Sequence, residues 1–367
     1  MIINAAILWE QGQPLSVEPA ELEQPRAREV LVEVRVAGVC HSDLHPVRGD
    51  WPMRTPLVLG HEGAGIIREV GDGVKKVRPG DHVVFCWAPP CGECLPCRSG
   101  RTVLCDRLPK TTYRNRLPSG GTRLRARSQD LAHFNSTACF AEYAVVSEEG
   151  VISVPDNVAF EVLATIGCAV VTGIGAVNNA AQTKAGDNVV VIGAGGVGLN
   201  VIQGASLAGC NQIIAVDLRS TALELAKQFG ASETINAASE KVAEEVRQLT
   251  RGKRVDCVFD TVGTSTTINQ ALDSVSKGGT VVLTGLSRID ATAAIQTFPF
   301  VMQEKRLIGS VYGSGCPLAE VPQLVSLYLD GKLKLRELIT REYSLQQVNE
   351  ALDQLAAGAD ARGIIRF

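Results

Sequence analysis

Val30–Val36 reads VLVEVRV, with apolar and polar side chains alternating as in a strand with one face buried. Gly63–Val70 and Asp81–Phe85 are similar short apolar segments, bounded by glycine-rich turns and by Arg78-Pro79-Gly80-Asp81. Residues 1–165 are therefore expected to be rich in β-structure. Residues 106–135 carry no clear period and read as a long excursion loop, whose length argues for a functional or interface role.

From about Lys184 the pattern changes. Val189–Ile192 is a continuous apolar run, suited to a strand buried on both faces. A helix over Gly195–Ala208 follows, then a strand at Ile213–Val216 and a helix at Thr221–Phe229. Next come the strand Glu233–Ile235, the helix Glu240–Thr250, the strand Val255–Phe259, the helix Thr266–Val275 and the strand Thr280–Leu283. Such alternation predicts an α/β fold with a doubly wound parallel sheet. Beyond Ser310, helices at Leu318–Leu329 and Leu345–Ala357 precede a strand at Gly363–Phe367, a tail expected to return to the first domain. At 367 residues two domains are expected, 1–169 and 170–312, with 313–367 rejoining the first.

Composition acts mainly by exclusion. Hydrophobic residues at 45% and charged residues at 20% describe an ordinary globular chain, and a net charge of -3 without a long basic run leaves no footprint for nucleic acid. Arg114, Arg116, Arg123, Arg125 and Arg127 are interrupted by glycine and proline and read as a solvated surface loop. The opening MIINAAILWEQGQ lacks the basic and apolar regions of a secretory signal, and no stretch reads as long enough to span a membrane. A cytoplasmic setting without a membrane partner is expected. There, eleven cysteines favour reduced thiols or metal ligands over disulfides. Cys86, Cys139, Cys210, Cys257 and Cys316 stand alone and read as buried packing thiols.

The remaining cysteines carry chemistry. Cys91, Cys94, Cys97 and Cys105 are spaced C-x2-C-x2-C-x7-C in CGECLPCRSGRTVLC, a lobe at about 86–110. A closed tetrahedral zinc site fits this spacing, with an iron–sulfur cluster as the competitor. Cys40, His61 and Cys168 are candidates for a second site in which three ligands leave one position open, with Glu62 able to approach the metal from behind.

Val189–Ile192 runs into Gly193-Ala194-Gly195-Gly196-Val197-Gly198, a G-x-G-x-x-G between strand and helix, with Asp217 nineteen residues after Gly198. Gly193 suits the tight turn, Gly195 the approach of a pyrophosphate and Gly198 close helix packing. Asp217 suits ribose hydroxyls and disfavours a 2′-phosphate, which points to NAD; Arg219 argues the other way.

Together, GVCHSDLH, LGHEGAG, the four-cysteine lobe, GCAVVTG, GAGGVG with Asp217, and Arg362 resemble the zinc-dependent medium-chain alcohol dehydrogenases over essentially the whole chain. The resemblance implies a GroES-like catalytic domain, a Rossmann domain and two zinc ions per chain. Cys40, His61 and Cys168 would hold the catalytic ion and the four-cysteine lobe the structural one. It makes Ser42 the hydroxyl that takes the substrate proton and His45 the end of that relay through the cofactor ribose. Asp43 would orient His61, and His41 and Arg362 would contact the pyrophosphate, while Thr172 joins the cofactor set. The substrate channel would include Trp51, Trp87, Leu104, Phe134 and Leu286, an apolar lining suited to a primary aryl or medium-chain alcohol or aldehyde. Glutathione-dependent formaldehyde dehydrogenases carry an acid and an arginine where this chain has Trp51 and Pro109, which argues against an anionic thiol adduct. A homodimer joined near residues 280–315, or a homotetramer, is implied as well.

Overall fold

The computed structural model describes residues 1–359 and 361–367. These divide into one unit comprising 1–168 and 316–367, and a second comprising 169–315.

In the first unit, Glu29–Gly38 is the hub. It pairs antiparallel with Glu62–Val70, with Tyr143–Ser147 and with the returning tail strand Arg362–Arg366. Val30, Val32 and Val34 project into one core with Leu57, Phe85, Phe140 and Ile365, while Leu31 points into a second with Ile3, Ile7 and Leu131. The alternation read from the sequence thus reflects one buried face; on the other, Leu31 enters the second core while Glu33 is half-buried and Arg35 exposed. The second core fills a closed barrel formed by Ile2–Leu8, Ser16–Leu22, Leu124–Ala126, Gln129–His133 and Leu57–Val58.

Residues 106–135 are consequently not a structureless excursion: two barrel strands lie within them. Nor is the arginine-rich stretch uniformly solvated. Arg123 is buried, and its Nε and terminal nitrogen donate to Glu29 at 2.9 and 2.6 Å. A buried carboxylate needs such a partner, and the guanidinium holds the Glu29 carboxyl below its ordinary range despite the opposing effect of burial. The ion pair ties this segment to the hub strand.

In the second unit, six strands run parallel in the order Glu233–Asn236, Gln212–Asp217, Asn188–Ile192, Val255–Asp260, Val275–Leu283 and Arg306–Gly309. Helices Gly196–Leu207, Ser220–Gln228, Val242–Leu249 and Ser265–Ser274 connect them. Val189, Val190 and Val191 are fully buried, as a central strand covered on both faces requires.

Two expectations need correction. Helix Phe160–Ala181 is long and apolar enough, by length and composition, to cross a membrane, with mean hydropathy 1.9. Its apolar window is 89% buried inside the protein, so the pattern serves burial there. Among the isolated cysteines, Cys86, Cys139 and Cys257 are buried, but Cys210 and Cys316 are partly exposed.

Candidate active site and metal centres

The register of the hub strand explains how residues distant in sequence meet. Gly38 stands opposite Glu62, so Cys40 and His61 leave the paired strands at the same end. A Cβ at Gly38 would lie 2.4 Å from Glu62 Oε1, so glycine is what admits the carboxylate. Cys168 comes from the π-helical turn Ile166–Val170, next to Gly167, where a Cβ would meet the Phe85 carbonyl oxygen at 2.9 Å. That close approach seats the turn against the sheet.

The result is a buried cluster in which ligand atoms of Cys40, His61, Glu62 and Cys168 all lie within 4.8 Å of one another. Cys168 Sγ is 3.5 Å from His61 Nε2. His61 Nδ1 is 3.1 Å from Asp43 Oδ1, and Asp43 also accepts from the Gly60 and Cys40 amides at 3.2 and 3.1 Å. Because a carboxylate only accepts, Nδ1 carries the hydrogen and Nε2 presents its lone pair to the sulfurs. Two thiolates and one imidazole with its tautomer fixed form a donor set suited to zinc, and Glu62 offers a fourth donor at the same point.

The electrostatics agree with that donor set. Sharing a proton with Cys168 draws the Cys40 thiol well below its ordinary range, while the same contact and burial push Cys168 well above it. Burial alone would lower His61, but the Asp43 charge outweighs it and raises the imidazole. Burial lifts Glu62 to about 7, against the opposing charge of Arg362. Arg362 Nε lies 3.4 Å from Glu62 Oε1, and its terminal nitrogen donates to the Val39 carbonyl at 3.0 Å.

Ser42 and His45 lie three residues apart on helix His41–Arg48, hence on one face. His41 is exposed at the helix start. Trp87 and the fully buried Phe134 meet His61 edge-on, with ring centroids 6.4 and 5.5 Å away, and Trp51 stacks on His45. Leu104 and Leu286 are exposed.

Cys91, Cys94, Cys97 and Cys105 also gather within 4.8 Å. Cys91 Sγ and Cys97 Sγ are 3.9 Å apart, too far for a disulfide, and all eleven cysteines are free. Amides of Cys94 and Glu93 donate to Cys91 Sγ and lower its thiol to about 6, whereas burial lifts Cys97 to about 12. A cluster of thiols with one already inclined to ionise suits a metal, which takes all four as thiolates.

In the second unit, Gly193 has φ +92°, and a Cβ at Gly198 would lie 1.8 Å from the Gly193 carbonyl oxygen. Nothing lies within 4 Å of a Cβ placed on Gly195. Gly196 and Val197 open the helix behind this space, and Thr172 is buried on helix Val171–Gly175. Gly198→Ala is therefore expected to destabilise the unit, while Gly195→Ala keeps its melting temperature but weakens dinucleotide binding about tenfold. Thermal scans and titration with NAD and with NADP separate the two effects. Asp217 accepts from the Ala194 amide at 2.9 Å, and Arg219 Nε lies 3.1 Å from the same carboxylate.

Two contributors escaped the sequence reading. Thr261 Oγ1 donates to the Ile192 and Gly193 carbonyls at 3.0 Å, holding the glycine turn, and Asp50 contacts His45. Neither belongs to a motif, so only the folded chain reveals them.

A family model described as "Alcohol dehydrogenase GroES-like domain" matches residues 26–156, and one described as "Zinc-binding dehydrogenase" matches 196–330. An "NDMA-dependent alcohol dehydrogenase" of Amycolatopsis methanolica is 40% identical over 368 residues, spanning 100% of this chain and 99% of the relative. An "S-(hydroxymethyl)glutathione dehydrogenase" of Komagataella pastoris is 38% identical over 99% of this chain and 97% of its own. The crystal structure of benzyl alcohol dehydrogenase from Acinetobacter calcoaceticus superposes with TM-score 0.94 at 31% identity, covering 100% of this chain and 99% of that one.

Proposed function

We infer that this chain, which belongs to the zinc-dependent medium-chain alcohol dehydrogenases, interconverts primary alcohols and aldehydes with NAD as its hydride carrier. Alcohol dehydrogenase chemistry comes with the family; the substrate class, the choice of NAD and the count of two zinc ions are the proposal. The observation that carries it is the convergence of Cys40, His61 and Cys168, with Asp43 fixing the imidazole.

Those three residues would hold the catalytic ion, with Glu62 in reserve, and the four-cysteine lobe a structural one. Bound zinc supplies Lewis acidity that polarises the substrate hydroxyl and lowers its pKa. Ser42 Oγ would accept the hydroxyl proton, and His45, one turn further along the helix, would end the relay that carries it towards solvent. Overall, alcohol and NAD⁺ give aldehyde, NADH and one proton. In the other unit, Gly193, Gly195 and Gly198 with the helix they open would receive the pyrophosphate, and Asp217 the adenosine ribose. The contact between Asp217 and Arg219 offsets the arginine's charge, which supports NAD over its 2′-phosphorylated form.

In the first unit, Trp51, Trp87 and Phe134 support an aryl or medium-chain primary alcohol, with Leu104 as an outer part of the lining. A second reading, oxidation of a thiol–formaldehyde adduct, is favoured by the S-(hydroxymethyl)glutathione dehydrogenase relative; Trp51 and Pro109 count against it. Rates with benzyl alcohol, ethanol and S-(hydroxymethyl)glutathione, each with NAD, NADP and NDMA, test these readings. Benzyl alcohol with NAD is expected to be fastest. Equal rates on ethanol and benzyl alcohol, an absolute thiol requirement, or turnover only with NDMA would each overturn the assignment. We also propose a homo-oligomer. Ile289, Phe298, Val301 and Met302 are highly exposed in the segment that leads into the edge strand Arg306–Gly309, and a monomer in sedimentation at micromolar concentration would contradict it.

A further inference from the structure

We propose that Asp50 is a positioning residue for proton transfer, holding the hydrogen of His45 on Nδ1 so that Nε2 is kept as the relay's acceptor. The inference rests on the reading above in which His45 ends the relay. His45 Nδ1 lies 3.1 Å from Asp50 Oδ2. A carboxylate offers only lone pairs, so the nitrogen facing it carries the hydrogen and the neutral ring's own lone pair falls on Nε2. An imidazole without such a partner divides itself between two tautomers, and one of them presents N–H where an acceptor is needed.

The local chain is built to keep this pair together. Helix His41–Arg48 ends at Gly49, whose φ of 76° turns the backbone back on itself. The amides of Asp50 and Trp51 then both donate to the His45 carbonyl oxygen, at 2.9 and 3.4 Å. Gln11, in the turn between strands Ile2–Leu8 and Ser16–Leu22, clamps the reversal. Its Nε2 donates to the carbonyls of Pro46 and Trp51, both at 2.9 Å, and its Oε1 accepts from the Met53 amide at 3.2 Å. The Trp51 ring stacks on His45 with centroids 4.3 Å apart and planes 23° from parallel. The imidazole is thus gripped on one face and along one edge. The His45 and Asp50 side chains are only 14% and 17% exposed, so water competes weakly for Nδ1.

The test uses the zinc-loaded enzyme with NAD and benzyl alcohol, in Asp50→Asn, Asp50→Ser, Asp50→Glu, His45→Gln and the double variant Asp50→Asn/His45→Gln. Both Asp50→Asn and Asp50→Ser are expected to lower kcat about tenfold, a fraction of what general acid–base transfer contributes, and to raise the solvent deuterium isotope effect. The dissociation constant for NAD and the zinc content stay at their parent values, and Asp50→Glu recovers most of the rate. In the double variant, removal of the carboxylate costs nothing beyond His45→Gln, because the residue acts only through that ring. Asp50→Asn or Asp50→Ser at parent kcat, while His45→Gln is slow, would overturn the proposal and leave the relay standing. So would a double variant slower than His45→Gln by the same tenfold, the mark of a packing role. His45→Gln at full rate would sink the relay reading, and the role of Asp50 with it.

Discussion

Cys40→Ser is expected to keep the fold, lose one of two zinc equivalents and oxidise alcohols about 10⁴-fold more slowly, a barrier increase of about 5.5 kcal/mol. Serine has nearly the shape of cysteine, but its neutral hydroxyl is a far weaker zinc ligand than a thiolate. His61 and Cys168, even with Glu62 in reserve, are expected to hold the ion too weakly to keep it through purification. The fold survives because Cys40 contributes its backbone to the surrounding structure: its amide donates to Asp43, and it opens helix His41–Arg48. Elemental analysis, melting temperature and kcat/KM measured on one preparation check the three parts. Full zinc with full rate would remove Cys40 from the site.

Cys94→Ser produces the opposite pattern. Within residues 91–105 only Thr102, Val103 and Cys105 are buried, so the lobe lacks a hydrophobic core of its own. Metal binding has to provide the folding free energy there, about 10 kcal/mol or more in small zinc modules. Without a complete ligand set the lobe is expected to open, becoming cleavable by protease near Arg98 and Arg101. The melting temperature falls by about 10 °C, taking several kcal/mol of loss at roughly 2–4 °C per kcal/mol. The Cys40 cluster shares none of these ligands and keeps its zinc. A protease-resistant lobe in Cys94→Ser would show that packing holds these residues without an ion.

Much of this was legible in the chain because local pattern and global role coincide. Val189–Ile192 is apolar throughout because its strand is covered on both faces, and the glycines after it answer to a positive φ at Gly193 and a 1.8 Å clash at Gly198. Cys91 to Cys105 are close in sequence and so close in space. Other parts were not legible. Leu124–Ala126 has only three residues, too few to show a period, and Arg123 reads as a surface charge until Glu29, far back in sequence, is placed beside it. The apolar window of Phe160–Ala181 is apolar because 89% of it is buried, a property that no single segment reveals. The convergence of Cys40, His61 and Cys168 depends on Gly38 standing opposite Glu62 and on Gly167 pressing against Phe85. Those are facts of register and close approach; residue type alone made the three candidates, and the family resemblance joined them into one site.

The central claim is that three side chains drawn from separate stretches share one zinc ion. Anomalous diffraction at the zinc edge from crystals of the purified protein tests it most directly. Two peaks per chain are expected, one bounded by Cys40, His61 and Cys168 and one by Cys91, Cys94, Cys97 and Cys105. A peak in the four-cysteine lobe alone, from protein that oxidises alcohols at full rate, would contradict it.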